Sequence, residues 1–164
     1  MEKSSEHLGA LEHLKLHLTG KVLVLGIGNT LCSDDGIGSM LASAIEGKVP
    51  YIVYDSSSSP ENYLGKIIKD KPDTVLIIDA VDFGGSPGEF RMYEGEDIQT
   101  VNFFSTHDAS ISLAISYLKN SFKVDIMVLA IQPKVISFGE GLSPEVNNTL
   151  KQLIEWFLTA KNYK

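Results

Sequence analysis

The sequence predicts a single-domain α/β fold, a three-layer sandwich with a mostly parallel sheet covered by helices on both faces. Short apolar segments rich in Val and Ile alternate with amphipathic segments of helical period, which is typical of this class. A length of 164 residues fits one domain. The predicted strands are 21–28, 50–55, 73–81 and 124–133, and a more polar fifth strand, 88–94, is expected at an edge.

The segments between the strands carry the signals of helices. Ser-Pro pairs that begin at Ser59 and Ser143 indicate helix starts, with the serine as cap and the proline in the first turn. Ser105 and Asp108 have the spacing of a capping box for a further helix. Apolar residues three and four apart give two of the segments one apolar face each: Ile37, Met40, Leu41, Ala44 and Ile45 in the first, and Leu150, Leu153, Ile154, Phe157 and Leu158 in the last.

Residues 1–19 precede the first strand and form a separate pattern. Leu8, Leu11, Leu14 and Leu18 make a weak helical stripe. We interpret this segment as an added helix that packs either on the domain or on a neighbouring chain, the second case being self-association.

Composition excludes several classes of protein. The net charge of −7 argues against a nucleic-acid-binding surface, which needs clustered Lys and Arg. No apolar run approaches the length of a membrane span, and no signal peptide is visible, so neither membrane insertion nor export is expected. The single cysteine, Cys32, rules out an internal disulfide and fits a reducing compartment. We therefore expect a cytoplasmic protein whose partner is a small solute, a metal or another protein.

The stretch GIGNTLCSDDGIG, residues 26–38, resembles a nucleotide-binding loop only superficially. Leu31 occupies the place of the third glycine in the dinucleotide fingerprint, and the sequence has neither a P-loop motif nor a G-x-S-x-G elbow. The adjacent carboxylates of Asp34 and Asp35 would also repel a pyrophosphate. Nucleotide binding is therefore disfavoured.

Residues whose side chains can bind a ligand or take part in catalysis follow several of the predicted strands. Asp35 lies after the first strand, Asp55 ends the second, Asp79 ends the third, Gln132 ends the last apolar one, and His107 opens a helix. The carboxyl ends of parallel strands meet at one edge of a sheet, where ligands bind. We therefore expect these residues to surround one cleft.

Carboxylates that converge with an imidazole suit a divalent cation such as nickel, zinc or manganese. At a helix N-terminus the dipole disfavours the charged form of His107, which would leave a lone pair for a metal. One of Asp34 and Asp35 is expected to cap the helix that begins at Gly36, while the other faces the cleft. Structural roles remain open: Asp79 as a hydrogen-bonded acid at a strand end, and His107 as part of a helix cap.

Five sequence blocks together resemble the hydrogenase maturation endopeptidases, in particular the branch that processes the large subunit of hydrogenase-3-type nickel–iron hydrogenases. They are LGIGNTLCSDDGIG, DSSSSPENYLGKI, VLIIDAVDFGGSPGEFRMY, STHDASI and LAIQP. The resemblance implies a twisted five-stranded sheet with flanking helices. It also implies a protease domain over residues 20–164, with residues 1–19 as an N-terminal helical extension outside the match.

The resemblance implies a particular protease activity and a set of residues that carry it. A cytoplasmic aspartic-type endopeptidase would remove the C-terminal extension of the large-subunit precursor after nickel insertion. Asp35, Asp79 and His107 match the metal-contacting and catalytic trio of the family, with nickel supplied by the substrate and no organic cofactor. Whether nickel only anchors the substrate, polarises the scissile carbonyl or a water, or leaves hydrolysis to a carboxylate base stays open. Six residues are candidates for substrate binding: Gly28, Asn29, Asp55, Ser56, Ser57 and Gln132.

Three other functions remain as alternatives: an autonomous zinc metallohydrolase using the same trio, a non-enzymatic nickel-binding maturation factor, and a nucleotide-binding module. One departure from the family concerns the serines after Asp55, where relatives often have glycines. Cys32 is expected to tune the site or to be incidental, because no histidine partner lies near it in sequence.

Overall fold

A computed structural model describes residues 2–99 and 104–160 of the chain. Five strands form one sheet in the order β2-β1-β3-β5-β4, with every pair parallel except β4 and β5, which are antiparallel. The predicted sheet and its polar edge strand are confirmed. The strands are β1 Val22–Gly26, β2 Ile52–Asp55, β3 Thr74–Ala80, β4 Phe90–Glu94 and β5 Asp125–Ile131.

Five α-helices cover the two faces of this sheet. They are α1 Glu2–His17, α2 Ile37–Ile45, α3 Leu64–Asp70, α4 Asp108–Ser121 and α5 Pro144–Ala160. Short 3-10 turns precede α2 and α3, at Ser33–Gly36 and Pro60–Tyr63. A third 3-10 turn follows β4, at Asp97–Gln99.

Alternate residues of the central strands build two separate hydrophobic cores. Val24 and Leu76 belong to the core shared with α1, α2 and α5, whereas Leu23 and Ile77 belong to the core shared with α3 and α4. Every residue of β1 and β3 is buried, because side chains on successive positions of a strand point to opposite faces and both faces are covered. The three-layer prediction is therefore confirmed.

Helix α1 packs on the domain through part of the predicted stripe. Leu11 and Leu14 are buried in the same core as Phe157, whereas Leu8 and Leu16 are exposed. Leu8 was predicted to lie on the apolar face, and this assignment is wrong, because in this part of the helix the ring of His7, not Leu8, packs on the domain, stacked on Phe90 of β4. Self-association through α1 stays a prediction.

Two predicted helix caps are absent. Neither Asp34 nor Asp35 caps α2, which begins at Ile37 after Gly36 with no side-chain capping bond. The Ser59 side chain also makes no capping bond, since the chain enters α3 through a 3-10 turn stabilised by main-chain bonds. In both cases a tight turn takes the place of a capped helix start.

The glycines of the first loop allow close packing of the chain. A side chain on Gly26 would meet the main chain at Gly38, and one on Gly38 would meet the carbonyl oxygens of Ile27 and Ile78. These contacts explain why the loop is rich in glycine without any role in binding a phosphate group. Within the described residues, no helix combines the length and apolar character that a membrane crossing requires.

Candidate active site

Three distant segments bring Asp35, Asp79 and His107 together at the carboxyl edge of the sheet. Asp35 lies in the 3-10 turn after β1, Asp79 is the last but one residue of β3, and His107 is the N-cap of α4. His107 Nδ1 lies 3.3 Å from Asp79 Oδ1, and His107 Nε2 lies 4.0 Å from Asp35 Oδ2. All three side chains are buried. They form one contiguous cluster, which we call the trio.

Two hydroxyl groups that sequence analysis missed hold the trio in place. Thr106 Oγ1 donates a 2.8 Å hydrogen bond to Asp35 Oδ1 and lies 3.1 Å from His107 Nδ1. Ser105 Oγ donates to Asp79 Oδ2 and accepts from the His107 amide at 3.0 Å. Both precede His107 directly in the STHD block, and this adjacency was the available signal.

The predicted capping box at α4 is only half formed. Asp108 Oδ1 accepts a 2.8 Å hydrogen bond from the Ser105 amide, as the motif requires. The reciprocal bond is replaced, because the Ser105 hydroxyl serves Asp79 and the His107 amide instead. The residue that should complete a helix cap therefore supports the candidate site.

Burial and proximity shift the protonation of the trio. Burial raises the pKa of Asp79 to about 6, although its hydrogen bonds from His107 and Ser105 oppose the rise. For His107, burial acts to lower the pKa, but the hydrogen bond and charge of Asp79, together with the charges of Asp35 and Asp108, outweigh it and raise the pKa. The carboxylates around His107 therefore favour its charged form, opposite to the effect predicted from the helix N-terminus.

Asp34 has a different environment from its neighbour Asp35. It is fully buried and accepts hydrogen bonds from the Lys134 and Val135 amides, at 2.9 and 3.0 Å, and from both the amide and the hydroxyl of Ser143, at 2.7 and 2.8 Å. A carboxylate with this many main-chain donors stabilises a loop. We call Asp34 and its three partner residues the Asp34 cluster.

A cavity of about 260 Å³ opens beside Asp35. Its other lining residues include Asp82, Phe104, Thr106 and Ile136. A larger cavity of about 590 Å³ lies between α1 and β4 and is lined by none of the trio. The chemically relevant cavity is therefore the smaller one at the carboxyl edge.

The loop after β2 pairs with the loop after β1. Ser56 is buried and donates from its amide and its hydroxyl to the Gly26 carbonyl, while the Gly28 amide donates to the Ser57 carbonyl. Ser57 has a φ of +49°, in the left-handed region that favours glycine. A glycine here would adopt this conformation without strain, so the serine that departs from the family pattern holds a backbone conformation that glycine favours.

The remaining substrate-binding candidates also have partners within the chain. Asp55 accepts hydrogen bonds from the Ser57 amide and the Ser43 hydroxyl, and Asn29 Oδ1 accepts from the Leu31 amide. Gln132 Oε1 accepts from the Phe83 and Gly85 amides. None of the six predicted residues is among those that line the cavity beside Asp35. Their role in substrate binding stays a prediction.

The trio does not have the spacing of a complete metal site in this structure. Among the described residues, no group of three or more His, Cys, Asp or Glu side chains could hold a metal ion as arranged. Both oxygens of Asp79 are engaged, one by His107 and the other by Ser105. For Asp79 to become a direct metal ligand, one of these hydrogen bonds would have to break.

Known proteins resemble this chain over most of its length. A family model described as hydrogenase maturation protease matches residues 37–160, most of the chain, including Asp79 and His107. The chain is 30% identical over 135 residues to the hydrogenase 3 maturation protease of Escherichia coli, covering 81% of this chain and 86% of that protein. The chain belongs to the hydrogenase maturation protease family.

Solved structures of this family share its fold. The crystal structure of a nickel–iron hydrogenase maturation protease, HycI, from Thermococcus kodakarensis matches with a TM-score of 0.81 and 29% identity, over 92% of this chain and 99% of that one. The hydrogenase maturating endopeptidase HybD from Escherichia coli matches with a TM-score of 0.73 and 25% identity, over 86% and 91% of the two chains. The predicted family is confirmed.

Proposed function

We propose that this chain is an endopeptidase that removes the C-terminal extension of a nickel–iron hydrogenase large-subunit precursor after nickel insertion. Membership of the hydrogenase maturation protease family supports peptidase activity on such a precursor. The observation that carries the finer proposal is the contact of Asp79 with His107 and of His107 with Asp35 at one end of the sheet.

The proposal assigns different roles to the members of the trio. Among the described residues, Asp35 Oδ2 and His107 Nε2 have no hydrogen bond within the chain, and they face each other across 4.0 Å. Two metal–ligand bonds of about 2.1 Å each can span that separation. These two atoms are therefore suited to contact nickel held by the substrate, while Asp79 orients the imidazole through Nδ1, as a carboxylate bonded to the other ring nitrogen of a metal-binding histidine does. The nickel belongs to the substrate, and the enzyme needs no organic cofactor.

Recognition of nickel would make cleavage depend on correct maturation. A precursor without nickel loses the contacts to Asp35 and His107 and binds less tightly, so specificity arises as a difference of affinities. For hydrolysis we favour polarisation of the scissile carbonyl or of a water by the substrate's nickel. In that mechanism Asp35 and His107 hold the substrate's nickel beside the scissile bond.

The experiment mixes the protein with nickel-loaded and nickel-free large-subunit precursor and follows the shortened product by mass spectrometry. The wild-type chain should cut only the nickel-loaded precursor. Asp35→Asn, Asp79→Asn and His107→Ala should each slow cleavage by about 100-fold or more, which is the usual loss when a group that acts in the transition state is removed. Asp125→Asn, an exposed acid at the start of β5, is the matched control and should cut at the wild-type rate.

Several results would contradict parts of the proposal. Undiminished cleavage by one variant would remove that residue from the site. Equal cleavage of both precursors would remove the nickel requirement. Stoichiometric zinc in the purified protein, with cleavage abolished by its removal, would favour the autonomous metallohydrolase. Binding of nickel-loaded precursor without cleavage would favour the non-enzymatic maturation factor.

A further inference from the structure

Large hydrophobic side chains are exposed on three loops at the carboxyl edge of the sheet. Leu31, Phe104 and Phe138 are 57%, 78% and 85% exposed, and Val135 and Ile136 on the loop after β5 are 42% and 48% exposed. We call these five residues the apolar rim. Elsewhere in the described chain, exposed large hydrophobic side chains lie only in pairs on α1 and α4. Clusters of this kind on a protein surface mark interaction sites.

The apolar rim is continuous with the candidate active site. Phe104 and Ile136 line the same cavity as Asp35 and Thr106. The main chain of Phe104 also pairs with Asp82, which borders that cavity, through reciprocal hydrogen bonds of 2.8 and 2.9 Å. A polypeptide that reaches Asp35 through this cavity therefore contacts the rim.

The rim is held rigidly although its side chains are exposed. The buried carboxylate of Asp34 fixes the Val135 amide, and the Asp34 amide donates to the Val135 carbonyl at 2.9 Å. The loops after β1 and β5 also pair directly, since the Gly139 amide donates to the Leu31 carbonyl and the Ser33 amide donates to the Gly139 carbonyl, both at 2.9 Å. A preorganised apolar surface loses little entropy when it binds a partner.

We propose that the apolar rim is a docking surface for an apolar segment of the large-subunit precursor, next to the bond that is cut. This inference rests on the proposed function, because the occupant must also reach Asp35 and His107. Lys134, which also lines the cavity, is paired with Glu145 at 2.8 Å, so its charge already has a partner within the chain. A second copy of this chain seated on the rim would cover the cavity and exclude the substrate.

The test compares rim variants with exposed apolar positions on α4. Ile136→Ser and Phe138→Ser should each raise the KM for nickel-loaded precursor about tenfold, with kcat within about threefold of wild type, because they remove binding that is equal in ground and transition states. Leu113→Ser and Tyr117→Ser are the matched controls, since these residues are 59% and 52% exposed on α4, and they should leave both constants unchanged. Direct binding of the precursor to each variant, by surface plasmon resonance, gives the same ranking without cleavage.

The outcomes separate this inference from the proposed function. If the wild-type chain cuts and the rim variants match it in KM and in binding, the docking surface is overturned and the proposed function stands. If the wild-type chain binds the precursor in a rim-dependent way without cutting it, the docking surface is supported and the peptidase assignment fails. If sedimentation shows a wild-type dimer that Phe138→Ser dissociates while precursor binding is unchanged, the rim is an interface between copies and the inference is wrong.

Discussion

Two clusters of buried carboxylates lie side by side at the carboxyl edge of the sheet, and they are built in opposite ways. In the Asp34 cluster, main-chain amides and one hydroxyl surround a single acid and satisfy both of its oxygens. In the trio, Asp35 and Asp79 face the ionisable ring of His107, and their other hydrogen bonds from the described residues come from side-chain hydroxyls. The first cluster satisfies its acid with fixed donors, whereas in the second two carboxylates lie against an ionisable ring.

Asp34 and Asp35 are adjacent in sequence but differ in environment: Asp34 stabilises a loop, whereas Asp35 belongs to the candidate active site. A buried acid with enough fixed donors is stable and unreactive, because any change in its charge costs several hydrogen bonds. A buried acid that faces an imidazole and has few fixed donors is typical of functional sites. The following variants test this comparison, beginning with the largest expected effect.

Asp34→Asn should lower the free energy of unfolding by about 3 kcal/mol. An amide at this position replaces one carboxylate oxygen with an NH₂ group, which then faces at least one buried main-chain N–H of Lys134, Val135 or Ser143. Urea unfolding monitored by circular dichroism measures the loss. The matched control is Asp35→Asn, which makes the same change one residue later and should cost less than about 1 kcal/mol, because Asp35 accepts from Thr106 alone among the described residues. Equal losses in the two variants would contradict the comparison.

Asp79→Asn should change how stability depends on pH. In the folded chain the pKa of Asp79 is raised to about 6 from its ordinary value of 3.8, so the folded state binds more protons than the unfolded state in this range. Stability from this group is therefore present below about pH 4 and is lost as pH rises through 6. The raised pKa of His107 acts in the same direction, its contribution being lost as pH rises above 6.5.

The measurement is the free energy of unfolding of wild type and Asp79→Asn from pH 4 to 7. The variant should lack a decline on the order of 2 kcal/mol that the wild type shows over this interval. Asp125→Asn, whose side chain is exposed, controls for the loss of one negative charge and should follow the wild-type curve. Parallel curves for wild type and Asp79→Asn would show that burial of Asp79 does not govern its protonation.

The sequence was sufficient to predict where the trio lies. Runs of Val and Ile identified the buried strands, and parallel strands end at one edge, so Asp79 at the end of β3 and Asp35 after β1 had to be neighbours. His107 was placed at the same edge because the sequence predicted that a helix begins there. Local patterns and a general rule of parallel sheets bring these residues to one edge, whereas the choice of this trio over Asp55 and Gln132 came from the family resemblance.

Local sequence patterns could not predict that Asp34 would bind the loop after β5 while Asp35 faces His107. The partners of Asp34 lie about 100 residues away in the loop after β5, so no local spacing reveals them. Asp34 and Asp35 lie in a 3-10 turn, where a capped helix start was predicted, and their side chains point to different partners. The direction of the His107 pKa shift was also missed, because it depends on distances to Asp79 and Asp35 that only the folded chain fixes.

Thr106→Val should lower kcat for precursor cleavage about tenfold while changing KM by less than about threefold. The isosteric valine removes the hydrogen bond to Asp35 Oδ1 and the contact with His107 Nδ1, so Asp35 Oδ2 and His107 Nε2, the two atoms proposed to contact nickel, lose their fixed separation. Loss of one such positioning bond corresponds to about 1.4 kcal/mol in activation free energy. Thr106→Ser keeps the hydroxyl and should restore most of the rate. A valine variant with wild-type kcat would show that Asp35 needs no support from the segment that precedes α4.

Ser143→Ala should have the smallest effect, about 1 kcal/mol in the free energy of unfolding, because Asp34 keeps its three main-chain donors when the hydroxyl is lost. The decisive measurement is a double-mutant cycle. If the Ser143 hydroxyl stabilises the chain through Asp34, the same substitution should cost distinctly less in the Asp34→Asn background, since residues in one hydrogen-bond network do not contribute additively. Equal costs in both backgrounds would mean that the hydroxyl acts elsewhere, and the Asp34 cluster would then be smaller than its hydrogen bonds indicate.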